Sequence, residues 1–154
     1  MSTHIHTPTQ PLPSPSSAPI PPAVAWLGYG GLLPFLALAA VGLWAPGTPW
    51  WSAALLAYGA VILSFVGALH WGFAMAQSGL SAPERTRCFV WSVVPSLMAW
   101  PAMLLPPAAG SVLLIAGFAA HLVQDHRLAA RTSLPAWYLP LRWRLTVTAC
   151  VCLA

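Results

Sequence analysis

The stretch Leu55–Gly72, LLAYGAVILSFVGALHWG, constrains this chain more than any other: its eighteen residues carry no charged side chain and nothing that would end a helix. At about 1.5 Å per residue it reaches roughly 27 Å, close to the hydrocarbon thickness of a bilayer. Backbone amides in lipid have no water to bond, so such a run crosses as a helix that satisfies them internally. The composition agrees. Hydrophobic residues make up 58% of the 154 and charged ones only 5%, against about 25% charged in an ordinary soluble domain. Lipid is the expected solvent.

The charges also exclude a partner class. Six arginines, no lysine and two acids, Glu84 and Asp125, give a formal net charge of +4. A basic protein of this size invites a nucleic-acid reading, but the arginines fall in short connectors and form no basic face interleaved with aromatics. The three cysteines, Cys88, Cys150 and Cys152, are expected as small apolar side chains. Residues two apart on a helix point away from each other, which argues against a Cys150–Cys152 disulfide or metal clip.

Residues 1–22 are rich in Pro, Ser and Thr and lack arginine, so a disordered, retained tail is expected before a helical membrane domain over residues 23–154. The tail has neither the basic start of a secretory signal nor the arginines of a transit peptide. His4 and His6 within it are expected to be solvated rather than metal-bound. Five spans follow. The first, about Val24 to Trp44, has indole anchors near both ends and should kink at Pro34, freeing a carbonyl that another helix must satisfy. The second continues from Trp50 to about Met75. The third, about Cys88 to Leu105, should be broken by Pro95 and Pro101, with Trp91 and Trp100 as interfacial anchors. The fourth runs from Ser111 to Val123 and can extend as helix through Arg127, and the fifth, after the interfacial PAWYLPLRWR, is marginal in length.

All six arginines lie in the second and fourth connectors or at the start of the fifth span, while the first and third connectors are uncharged. Alternate connectors share a side of the membrane, so the positive-inside rule predicts a cytoplasmic N-terminus beside the arginines.

Two groups of residues stand out. Ala60, Ser64, Ala68 and Gly72 recur at intervals of four, a small-residue stripe along which another helix can approach closely. His70 and His121 fall at similar predicted depths, with Asp125 one turn after His121. Such a set can build a proton relay or part of a metal site, since ionisable residues at membrane depth are functional candidates. Alternatively both histidines are interfacial and Asp125 balances Arg127 or Arg131 at a helix end. A metal enzyme needs three or four converging ligands, and His126 is a poorly placed fourth. No cofactor is expected, and with no nucleophile beside a base, no paired carboxylates and no phosphate-cradling loop, neither is an enzyme. Trp71, beside His70, reads as an interfacial anchor.

The run YGAVILSFVGALHWG from Tyr58 to Gly72, LGYGGLLPF from Leu27 to Phe35 and LPAWYLPLRWRLT from Leu134 to Thr146 together resemble an uncharacterised bacterial membrane family. That family, a domain of unknown function, is similar to the mitochondrial transmembrane protein 69 group, and the resemblance covers roughly residues 24–154. It implies an all-α, polytopic inner-membrane protein of about five helices, with no established activity, substrate or cofactor. Members usually continue somewhat past the final Leu-Thr, so an abbreviated fifth span is expected. Two functions follow as expectations: a structural or assembly component packing against a membrane-protein partner or a second copy through the small-residue stripe, or a small proton-linked transporter using His70, His121 and Asp125.

Overall fold

The computed structural model of the chain describes residues 19–47 and 50–154. The tail's first eighteen residues, with His4 and His6, lie outside the described residues. The described residues form six helices in order: α1 (Pro22–Gly30), α2 (Leu33–Trp44), α3 (Trp50–Ala76), α4 (Ala82–Ala102), α5 (Pro107–Ala129) and α6 (Tyr138–Leu153).

α1 and α2 are the two halves of the first span, and the break between them lies at Gly31–Leu32, just ahead of Pro34. Proline has no N–H for the carbonyl four residues back, so the chain stops and restarts with Pro34 in the first turn of α2. Tyr58 of α3 reaches across and donates its hydroxyl to the carbonyl of Gly31, within the break, at 2.8 Å. The expected neighbour for the kink is therefore present. The third span behaves differently from expectation. α4 continues through Pro95, which is buried, and through Pro101 to Ala102, with a tightened last turn. Pro95 does not break the helix because its ring is seated against Gly67 of α3, where a Cβ would lie 2.8 Å from the ring carbons. The missing side chain lets the two helices close over the proline.

Side-chain neighbours give the directions of the helices. Gly59 faces Leu114, Gly67 faces Pro95, Trp71 faces Phe89, and Gly117 faces Leu63 and Met98. α3 and α5 thus run parallel, and α4 runs against both. α6 also opposes α5, with Leu153 beside Gly59 and Arg142 beside Asp125. α3 is central, touching α2, α4, α5 and α6. This up-and-down threading brings all the arginines to one end of the bundle.

The helix faces separate as a membrane requires. Phe35, Leu55, Leu56, Leu63, Leu114 and Phe118 close the far half of the interior, with Phe35 edge-on to both Tyr58 and Phe118. Outside, Trp26, Leu43, Trp44, Val61, Phe65, Met75, Val112 and Val151 stay exposed. Such an apolar belt is intolerable in water and ordinary in lipid. The first span, α3 and α5 are long and apolar enough to cross a bilayer. α6, with 16 residues, reaches about 24 Å.

Candidate functional site

At the arginine end of the interior, four helices contribute to one polar node. The inward stripe of α3 runs Leu56, Leu63, Val66, His70, Ala74, and that of α5 runs Leu114, Phe118, His121, Asp125, Leu128. These residues follow the spacing of a buried helix face, so His70, His121 and Asp125 sit where apolar residues would otherwise be. α6 adds Tyr138, Arg142 and Thr146 from its own inward stripe. Trp91 comes from α4.

Asp125 is fully buried, and both oxygens of its carboxylate hold donors. Oδ1 accepts His70 Nε2–H at 3.0 Å and the Tyr138 hydroxyl at 3.0 Å, while Oδ2 accepts Arg142 Nε–H at 2.8 Å. The aspartate and guanidinium charges cancel within the node. The rings of His70 and His121 are 4.9 Å apart, so their shared predicted depth becomes real proximity. Trp91 donates its indole N–H to His121 Nδ1 at 3.0 Å. Nδ1 can accept only when unprotonated, so the indole holds His121 as the neutral tautomer with its proton on Nε2. That Nε2 lies 3.7 Å from Asp125 Oδ1 and has no hydrogen-bond partner among the described residues, nor do Arg142 Nη2 and Thr146 Oγ1.

His70, His121 and Asp125 bring ligand atoms within 4.8 Å of one another. The set nevertheless fits a metal ion poorly. A metal needs lone pairs, whereas His121 Nε2 carries a proton because of Trp91, and His70 Nε2 carries the proton it gives Asp125. Arg142 already supplies the cation that neutralises the carboxylate. Beside the node lies a small cleft of about 30 Å³, walled by His70, Trp91, Glu84, Arg87, Arg127 and Arg131 among others. It has room for one or two waters.

Several sequence-based assignments change here. Arg142, read as an interfacial anchor, is 6% exposed and is the true counter-charge of Asp125. Neither Arg127 nor Arg131 plays that part; Arg131 pairs with Glu84 at 3.2 Å. Trp91 is a polar partner rather than an anchor. His126 donates Nδ1–H to Leu122 O and stays outside the node, and Trp71 is half-exposed, packed on Phe89. Of the small-residue stripe, Ala60 is buried, Ser64 bonds the Ala60 carbonyl, and Ala68 and Gly72 face outward. Cys88, Cys150 and Cys152 are free thiols.

Outside the hydrocarbon, the start of α4 is fastened twice. Ser81 and Glu84 form a capping box, and the hydrogen bonds from Ser81 hold the Glu84 carboxyl below its ordinary range. Arg85 donates to the carbonyls of Ala74 and Gln77 at the end of α3, where a cation meets the negative end of that helix.

Lipid-facing helices closed around one neutralised ion pair define a polytopic helical membrane protein. The chain belongs to the family described as protein of unknown function (DUF3429), whose profile matches residues 20–154. It is 36% identical over 137 residues to "Transmembrane protein 69" of Xenopus tropicalis, across 84% of this chain and 51% of that protein. The chain thus spans about half the length of that relative. The family resemblance carried by the run YGAVILSFVGALHWG is therefore correct. No solved structure matches.

Proposed function

We propose that this protein is a non-enzymatic, multi-pass component of a bacterial inner membrane that packs laterally against other membrane helices, with its arginine-rich end in the cytoplasm. The observation that carries the reading is the closure of the node. Asp125 is unexposed, its charge is cancelled by Arg142, and each oxygen already holds a donor. Beyond it, Leu63, Leu114, Phe118 and Phe35 fill the far half with apolar side chains. A charge-neutral node tied to four helices serves to fix one packing of the bundle, and the working surface is then the outside. There Ala68 and Gly72 leave space on α3 for a neighbour, nothing lying within 4 Å of a Cβ built at Gly72. The test is cross-linking in native membranes with Ala68→Leu and Gly72→Leu. Loss of a discrete cross-linked species in these variants is the expected result. A wild-type chain that cross-links to nothing, or variants that leave the species intact, would refute it.

A second reading, a proton-linked carrier, draws on a different observation: His70 borders the cleft while His121 Nε2 and Arg142 Nη2 have no partner among the described residues. Reconstituted protein that moves protons across liposome membranes between about pH 5 and 8, and loses this with His70→Gln, would establish it over the first.

A further inference from the structure

Outside the node, at the same end of the bundle, α5 and α6 flank a groove of about 380 Å³, lined by Leu122, Val123, His126, Arg127, Ala130 and Trp143. Its volume is within the range of small-molecule sites. The walls are apolar, and the polar groups are His126 and Arg127. Two of the six arginines are left without a partner among the described residues. Arg142 is bound to Asp125, Arg131 to Glu84, Arg85 to the carbonyls of Ala74 and Gln77, and Arg144 to the Tyr29 hydroxyl. Both acids of the chain are thereby engaged; Arg87 and Arg127 have no hydrogen bond or ion pair among the described residues, and of the two it is Arg127 that lines this groove. His126 turns Nδ1–H inward to the Leu122 carbonyl, leaving Nε2 free.

We propose that this groove binds an anionic phospholipid, with its phosphodiester on the Arg127 guanidinium and its first methylenes against Leu122, Val123 and Trp143. The match is one of charge and of layering. A guanidinium presents paired N–H groups suited to phosphate oxygens. It lies on the same side of the bundle as every other arginine, where lipid headgroups lie. Trp143 is 56% exposed beside it, placed as an indole is at the headgroup boundary. Apolar side chains continue from there along the outside of α5, as an acyl chain requires. This assignment is independent of whether the protein assembles with partners.

The full chain, purified in mild detergent, is titrated with spin-labelled phosphatidylglycerol and, separately, phosphatidylcholine. Phosphatidylglycerol should bind more tightly. Arg127→Gln should weaken it about fivefold, the size of one lost arginine–headgroup attraction, and leave phosphatidylcholine unchanged. Arg127→Lys should keep most of the preference. Arg87→Gln removes an equal charge from the neighbouring cleft and should change little. Equal losses in Arg127→Gln and Arg87→Gln would reduce the effect to general surface charge and overturn the site. So would displacement of the lipid by millimolar inorganic phosphate, which would mark a simple anion site, or equal binding of the two lipids. Arg127 is exposed and unpartnered, so folding of its variants is not at stake; matching thermal melts verify this.

Discussion

Removing one member of the Asp125–Arg142 pair should be far more damaging than removing both. In Arg142→Met the carboxylate keeps His70 and Tyr138 as donors but loses the guanidinium, at a site with no solvent exposure. In Asp125→Asn the guanidinium faces an amide with no counter-charge. Breaking a buried pair in this way costs about 3–5 kcal/mol, a large share of a total stability of about 5–15 kcal/mol. The double variant Asp125→Asn/Arg142→Met leaves no net buried charge, and the side-chain amide carbonyl it places on α5 still accepts from His70 and Tyr138. Its stability should exceed that of either single variant, a coupling of at least about 3 kcal/mol, at or beyond the upper end for residues in contact. Denaturant titration in mild detergent, followed by tryptophan fluorescence, measures all four corners of the cycle. Single variants within about 0.5 kcal/mol of wild type, or a double variant equal to the sum of the singles, would show that Asp125 and Arg142 are not a closed pair and would refute the lock.

Trp91→Phe removes the indole donor to His121 and should cost about 1–3 kcal/mol, the range for a buried acceptor left unpaired; ¹⁵N spectra should show His121 no longer held in its Nε2–H tautomer. Gly67→Ala puts a Cβ 2.8 Å from the Pro95 ring and should destabilise by about 1–3 kcal/mol. Gly72→Ala meets nothing and should stay within about 0.5 kcal/mol, a contrast read by parallel melts. Tyr58→Phe deletes the bond to Gly31 O and should cost about 0.6–1.7 kcal/mol, as polar contacts between membrane helices do. Glu84 is held below its ordinary value of 4.5 in the folded chain. Its capping stabilisation is therefore full above that value and lost as pH falls through the lower, folded one. The difference in melting temperature between wild type and Glu84→Gln should close over that acidic window and be constant above it.

What the sequence makes legible follows from how strongly lipid constrains a chain. Charge-free runs of span length must be helices, and connectors without charge alternate with connectors that carry arginine, so helix identity and threading are readable from Leu55–Gly72 outward. Proline is less readable because its effect depends on what packs there. Pro34 breaks its helix where Tyr58 takes the Gly31 carbonyl, while Pro95 does not break α4 because Gly67 makes room for the ring. Neither partner is adjacent in sequence, and both are set by the packing of α3.

The node shows the same division more sharply. His70, His121 and Asp125 are visible as polar residues on otherwise apolar stripes. Arg142 is concealed, since an arginine near a span's start obeys the positive-inside pattern whether it faces headgroups or the interior. The register of α6 separates the two cases. Tyr138, Arg142, Thr146, Ala149 and Leu153 fall on one buried face, whereas Trp143 and Arg144 turn outward. An aspartate on a buried stripe requires a cation, and Arg142 is the arginine on an inward face able to supply it. Pairing it with Asp125 removes one positive and one negative charge from the topological count. The remaining arginines, Arg85, Arg87, Arg127, Arg131 and Arg144, still gather at one end against Glu84 alone. The threading therefore does not depend on Arg142, and that residue is free to hold the helices together from inside.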